Sequence, residues 1–157
     1  MNDPYSRGLV TRNVYFSRRQ VRGRLCAVLQ GTLRERGLSL IPQPSRAMKA
    51  GDVHELIVTD EAGARPGTRV DRVAYVGFVE IDEAGVVVEG DAVWIGGKRA
   101  GVVAGFDCTH IPNHLNIVVR ADQLCSGREM GLAVEDEVVI FRDGANETRE
   151  GPRAPAS

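Results

Sequence analysis

No stretch of this 157-residue chain approaches the run of about 20 apolar residues that a membrane helix needs, so no membrane partner is expected. The N-terminus is polar and lacks the hydrophobic region of a signal peptide. An excess of either charge is missing too. Lys+Arg number 20 against Asp+Glu 21, a net charge of -1, and without a basic footprint no nucleic-acid partner is expected. Cysteine is scarce: Cys26, Cys108 and Cys125 form neither a CxxC pair nor an even disulfide set, which fits thiols in a reducing cytoplasm. No Gly-rich phosphate loop opens a helix, and Gly96-Gly97-Lys98 lacks the spacing of a P-loop. No serine nucleophile elbow and no dinucleotide fingerprint occur. These absences describe a cytoplasmic protein whose pocket works without a cofactor.

What is present is mostly strand. Hydrophobic residues make up 43% of the chain and charged residues 26%, enough for one domain with a real core. Residues 1–19 read as a flexible N-terminal segment, although Val14, Tyr15 and Phe16 could add a short strand. Residues 20–142 read as the domain and 143–157 as a disordered tail. Val21 to Gln30 fits helical spacing and a buried strand alike, and the bracketing Gly23 and Gly31 favour the strand. Ser45 to Lys49 predicts one or two helical turns, and Ala121 to Ser126 a short helix. His54 to Thr59 is a clear strand. Arg69 to Asp82, apolar on both faces in its middle, predicts a central strand. Gly96-Gly97 predicts a tight hairpin. Val88-Glu-Gly-Asp-Ala-Val-Trp-Ile95 aligns without gaps on Val134-Glu-Asp-Glu-Val-Val-Ile-Phe141, an internal echo. About seven to nine short strands with little helix predict an all-β, mainly antiparallel fold, a small closed or nearly closed β-barrel with one or two short helices.

The chemistry gathers between two apolar runs, in a turn holding Asp107, Thr109, His110, Asn113, His114 and Asn116. A solvated hairpin tip has little use for two imidazoles, a carboxylate and two carboxamides, and such a set suggests a site on a rigid scaffold. Three readings follow. In the first, His110 or His114 moves a proton with the help of Asp107, Glu55 or Glu80, while Asn116 stabilises developing charge. Glu80 would share a face with Ala74, Val76 and Phe78. In the second, His54, His110 and His114 ligate a metal, although Pro112 argues against placing the HxxxH spacing on a helix. In the third, each imidazole merely bonds a backbone carbonyl and locks the turn. His54, Glu55, Tyr75, Phe78, Trp94, Phe106 and Asn113 are candidates for substrate contact. Cys108 has no neighbour in the sequence to activate it.

His54-Glu-Leu-Ile57, Gly77-Phe78-Val79-Glu80 and Gly105-Phe-Asp-Cys-Thr-His-Ile-Pro-Asn-His-Leu-Asn-Ile117 resemble a family of small, uncharacterised bacterial proteins, over roughly residues 20–142. That resemblance implies no catalytic assignment. A looser likeness of architecture links small cofactor-free barrels with polyketide cyclases. The expected function is a cofactor-independent cyclase, isomerase or lyase. It would act on a hydrophobic small molecule, such as a polyketide-like chain closing into a ring, by templating its conformation and by His/carboxylate acid–base catalysis. A metal-dependent enzyme and a non-catalytic ligand-binding barrel are the alternatives, and a homodimer fits the size and shape.

Overall fold

Alternating apolar residues across short Gly-punctuated runs give strands, and the computed structural model, which describes residues 18–142, contains twelve. In chain order they are β1 (Val21–Val28), β2 (Thr32–Leu33), β3 (Leu38–Ser39), β4 (Ser45–Met48), β5 (Val53–Thr59) and β6 (Arg69–Val70). There follow β7 (Val73–Glu83), β8 (Gly85–Val88), β9 (Ala92–Ile95), β10 (Lys98–Asp107), β11 (Asn116–Arg120) and β12 (Glu137–Phe141). No helix occurs among the described residues, so both expected helices are corrected. Ser45–Met48 is instead drawn out as β4 by pairing with β8, from Ser45 opposite Val88 to Met48 opposite Gly85. Residues 121–126 form bends and irregular backbone. The expected strand from Arg69 to Asp82 is broken at Asp71-Arg72. There the backbone N–H groups of both residues donate to Glu61 Oε2 (2.7 and 2.8 Å). The expected strand at 14–16 and the tail from 143 lie outside the described residues. Arg18, assigned to the flexible segment, instead clamps Asp91 with two hydrogen bonds of 2.7 and 2.6 Å.

Seven strands pair around a ring in the order β1, β12, β9, β10, β11, β5, β7 and back to β1, with β2 added beside β7. All neighbours are antiparallel except β11 and β5. Parity requires such an exception, because a ring of strands alternating in direction closes only with an even number. Every strand of the ring sends side chains into one apolar cluster, among them Leu25, Leu56, Val79, Val93, Val103, Ile117 and Val138. On the opposite face Ile57, Ala104 and Val118 pack with Leu38, Leu40, Val70 and Val73 in a second cluster. The segment 36–41 runs across that second face, tied to β10 by Ser39 N to Asp107 Oδ2 (3.2 Å) and Ile41 N to Phe106 O (2.8 Å).

The internal echo is visible in the backbone, shifted by one residue from the gapless alignment. Val88 N donates to Asp91 Oδ2 (2.8 Å), as Ala133 N does to Asp136 Oδ2 (2.9 Å). The residue before each aspartate has positive φ, Gly90 at 89° and Glu135 at 77°. Gly90 N donates to Val103 O as Glu135 N does to Leu25 O, and Asp91 O and Asp136 O accept the N–H of the same two residues. β10 breaks register against β11 between Val103 and Gly105, and β1 against β7 between Leu25 and Ala27. Thus β9, β10 and β11 correspond to β12, β1 and β7. β5 belongs to neither set.

Candidate functional site

β10 ends at Asp107 and β11 begins at Asn116, and these two residues face each other across the strand pair. The loop between them is a series of turns rather than a helix. Ile111 N donates to Cys108 O (3.1 Å), while Asn113 N and His114 N both reach His110 O (2.8 and 3.2 Å). The carboxylate of Asp107, 2% exposed, fixes the base of the loop. It accepts from Ser39 N (3.2 Å), Thr109 N (3.0 Å) and Asn116 Nδ2 (3.0 Å). Those donors are backbone and amide, so Asp107 positions the turn and is not paired with an imidazole.

The parallel pairing of β11 with β5 sets Glu55 beside Asn116, and the antiparallel pairing of β5 with β7 sets Phe78 beside Glu55. Asp107, Asn116, Glu55 and Phe78 therefore form one row across four strands. Because side chains alternate along a strand, this row lies on the face of Ile57 and Val118, opposite the main cluster that holds Leu56 and Ile117. Glu55 is 7% exposed, and burial pushes its carboxyl above the usual carboxylate range, against the pull of His110 and Arg36. His114 Nε2 stands 4.0 Å from Glu55 Oε1. The His114 ring meets Phe78 edge-on at 5.1 Å and His110 at 4.9 Å. Burial lowers the His114 pKa, and the neighbouring His110 and His54 add to the effect.

These positions fix where protons can reside. Asn113 Oδ1 lies 2.7 Å from His114 Nδ1, and since a carboxamide oxygen can only accept, this contact is a hydrogen bond in the tautomer with the hydrogen on Nδ1. In the neutral ring Nε2 then holds the lone pair, is buried and has no hydrogen-bond partner. Burial raises the Glu55 pKa and lowers that of His114, favouring the neutral form of each. Asn116 Oδ1 is a second buried acceptor without a partner, on the residue next to Glu55.

His54, on the opposite face of β5, behaves differently. Its Nδ1 accepts the Leu115 N–H at 3.1 Å, so it locks the end of the turn. Nε2 lies 3.5 Å from Asp52 Oδ2 but forms no hydrogen bond. Burial lowers its pKa and Asp52 offsets part of that. Asp52 stands two residues before His54, a same-side spacing in an extended strand that could have drawn attention to it.

The other candidates scatter. His110 is exposed above His114. Phe106 is fully buried in the main cluster, on the face opposite Glu55 and Asn116. Glu80 does not share a face with Val76. A register shift in β7 opposite Leu56 and Ile57 moves Val76 to the main cluster with Val79 and Ile81, and leaves Phe78 and Glu80 on the other side. Tyr75 accepts a hydrogen bond from Arg36 Nε (3.1 Å) and packs on the second cluster. Trp94 is half-buried in β9, paired with Arg99 and Val139 and away from the turn. Burial raises the Cys108 thiol pKa, which disfavours the thiolate. Among the described residues no group of three or more His, Cys, Asp or Glu is arranged to hold a metal, so His54, His110 and His114 do not assemble into the expected alternative ligand set. A cleft of about 490 Å³ lies elsewhere, lined by Arg99, Gly101, Arg120 and Asp122 among others.

No helix among the described residues is long and apolar enough to cross a membrane. Comparison with curated proteins and with solved structures finds no match. A family model does match, over residues 15–141, a span that takes in β5, β7 and the histidine turn. The chain belongs to DUF6917, a family of unknown function.

Proposed function

We propose that this protein is a cofactor-independent enzyme of the isomerase, lyase or cyclase type. In this reading the ring of seven strands is a small closed β-barrel, and its outer face carries a proton-transfer site at Glu55 and His114. One observation supports it above the rest: a buried carboxyl and a buried imidazole nitrogen without a hydrogen-bond partner face each other at 4.0 Å, beside an exposed histidine. Nε2 of His54 is unpartnered too, but it stands beside the more open Asp52, whereas the free nitrogen of His114 is set toward a buried carboxyl. Here Nε2 of His114 is the base that takes a proton from carbon, and Glu55 holds or supplies the compensating proton. Phe78 offers an apolar wall, and Ile111, 43% exposed in the same turn, a second apolar surface. The interior is filled by the main cluster, which supports a site on the outer face instead of a central pocket.

The test is exchange of carbon-bound hydrogen in D2O, followed by proton NMR with cyclohexanone and acetophenone as apolar ketone probes. Wild type should accelerate loss of the α-proton signals, and Glu55→Gln and His114→Asn should each lower the rate by about 10²-fold or more. Equal rates in wild type and both variants would remove the acid–base reading and leave a binding protein.

A further inference from the structure

The strip of outer face that holds Glu55 runs between two walls. One is the histidine turn. The other is the start of the 36–41 segment, which enters at Arg36 and reaches β10 at Ser39 and Ile41. Arg36 is placed with care. Its backbone N–H donates to Asp71 O (2.9 Å), and its Nε donates to the Tyr75 hydroxyl (3.1 Å). Tyr75 pairs with Ile57, two residues along β5 from Glu55 and on the same face. The phenol thus holds the guanidinium through Nε. Its two terminal nitrogens have no hydrogen bond or ion pair among the described residues. A planar fork held at its stem, with both prongs unused, is the geometry that receives a carboxylate through two parallel hydrogen bonds.

We propose that Arg36 anchors the substrate carboxylate, and that the site acts on small molecules carrying a carboxylate next to an apolar group. The inference rests on the proton-transfer reading for the identity of the site. The anion would lie against Arg36, and the apolar part against Phe78 and under His114. Charge supports the arrangement. The Arg36 charge is felt at Glu55, and burial favours the uncharged Glu55 carboxyl, which does not repel an incoming anion. The nearby Asp107 carboxylate is already held by three donors. A phosphate would engage the same fork, so the ligand class is settled by comparing anions.

The experiment titrates the 15N-labelled full chain with sodium benzoate, sodium phosphate and sodium chloride at matched ionic strength, following the Arg36 Nε–H and the His114 ring. Benzoate should shift both sets of signals saturably, and more tightly than phosphate. Arg36→Gln should weaken benzoate at least tenfold, and Tyr75→Phe, which keeps the charge but frees the guanidinium, by a smaller factor. Dispersed spectra of each variant establish that the fold is kept. Equal responses to benzoate and chloride, or benzoate binding unchanged in Arg36→Gln, would overturn the assignment. Phosphate binding as tightly as benzoate would overturn the carboxylate class. Benzoate binding without hydrogen exchange on any ketone counts against the catalytic reading alone. Exchange without benzoate binding counts against Arg36 alone.

Discussion

A carboxyl buried beside an imidazole makes a definite prediction for stability. The Glu55 pKa is raised on folding, so as pH climbs the unfolded chain loses that proton first, and stability falls above the unfolded value of about 4.3. Glu55→Gln removes this penalty. Thermal melts should show the variant more stable than wild type at pH 8 and level with it at pH 4. His114 works in the opposite direction. Its pKa is lowered on folding, so below about 6.5 the unfolded chain takes up the proton first and stability falls as pH drops. His114→Asn should therefore gain on wild type between pH 6.5 and 5. A His54 change should instead cost stability at every pH. Truncation to alanine orphans the buried Leu115 N–H, and urea unfolding should register about 1–3 kcal/mol. The sequence places His114 among the proton-transfer candidates and His54 among the substrate contacts; in the folded chain they differ at Nδ1, which accepts the Leu115 N–H in His54 and meets Asn113 Oδ1 in His114.

Among the elements, the paired turns before β9 and β12 allow a clean substitution. Glu135 adopts the conformation that Gly90 adopts in the equivalent turn, at a cost of roughly 1 kcal/mol for a residue with a side chain. Glu135→Gly should raise stability by up to about that amount, less the added freedom of the unfolded chain and any loss of the exposed Arg24 pair (3.4 Å), measured by urea unfolding. Elements whose information is local were legible in the sequence. β5, the Gly96-Gly97 hairpin and the apolar run of β11 follow from short apolar runs and turn residues, and both glycines of the hairpin have positive φ. β4 was not legible, because Ser45-Arg-Ala-Met carries helix formers and only its partnership with β8 draws it out. Glu80 was misplaced because counting by twos assumes an unbroken register, and β7 breaks it. Of the site itself, the histidine turn and Glu55 were visible as residues, but the row joining them is not. It depends on β5 entering beside β11, a pairing between positions some sixty residues apart. Arg36 left no signal at all, since an arginine in a turn is ordinary until a distant tyrosine holds it.

For the molecule as a whole, the correspondence of β9–β11 with β12, β1 and β7 leaves β5 as the strand that completes the ring, and β5 carries Glu55. A strand has direction, so it cannot face two equivalent neighbours in the same way. Glu55 accordingly lies between Asn116 of parallel β11 and Phe78 of antiparallel β7.

The ring also closes between its first strand and its last, with Val21 opposite Ile140. During synthesis, therefore, β1 and β9 each keep an open edge until β12 is made, and closure must then bring together residues more than a hundred positions apart. Folding should be slow for this size, in the millisecond-to-second range of sheets built from distant pairings. A chain ended at Asp136 lacks β12 and should be recovered as aggregate, since two unpaired edges invite other chains.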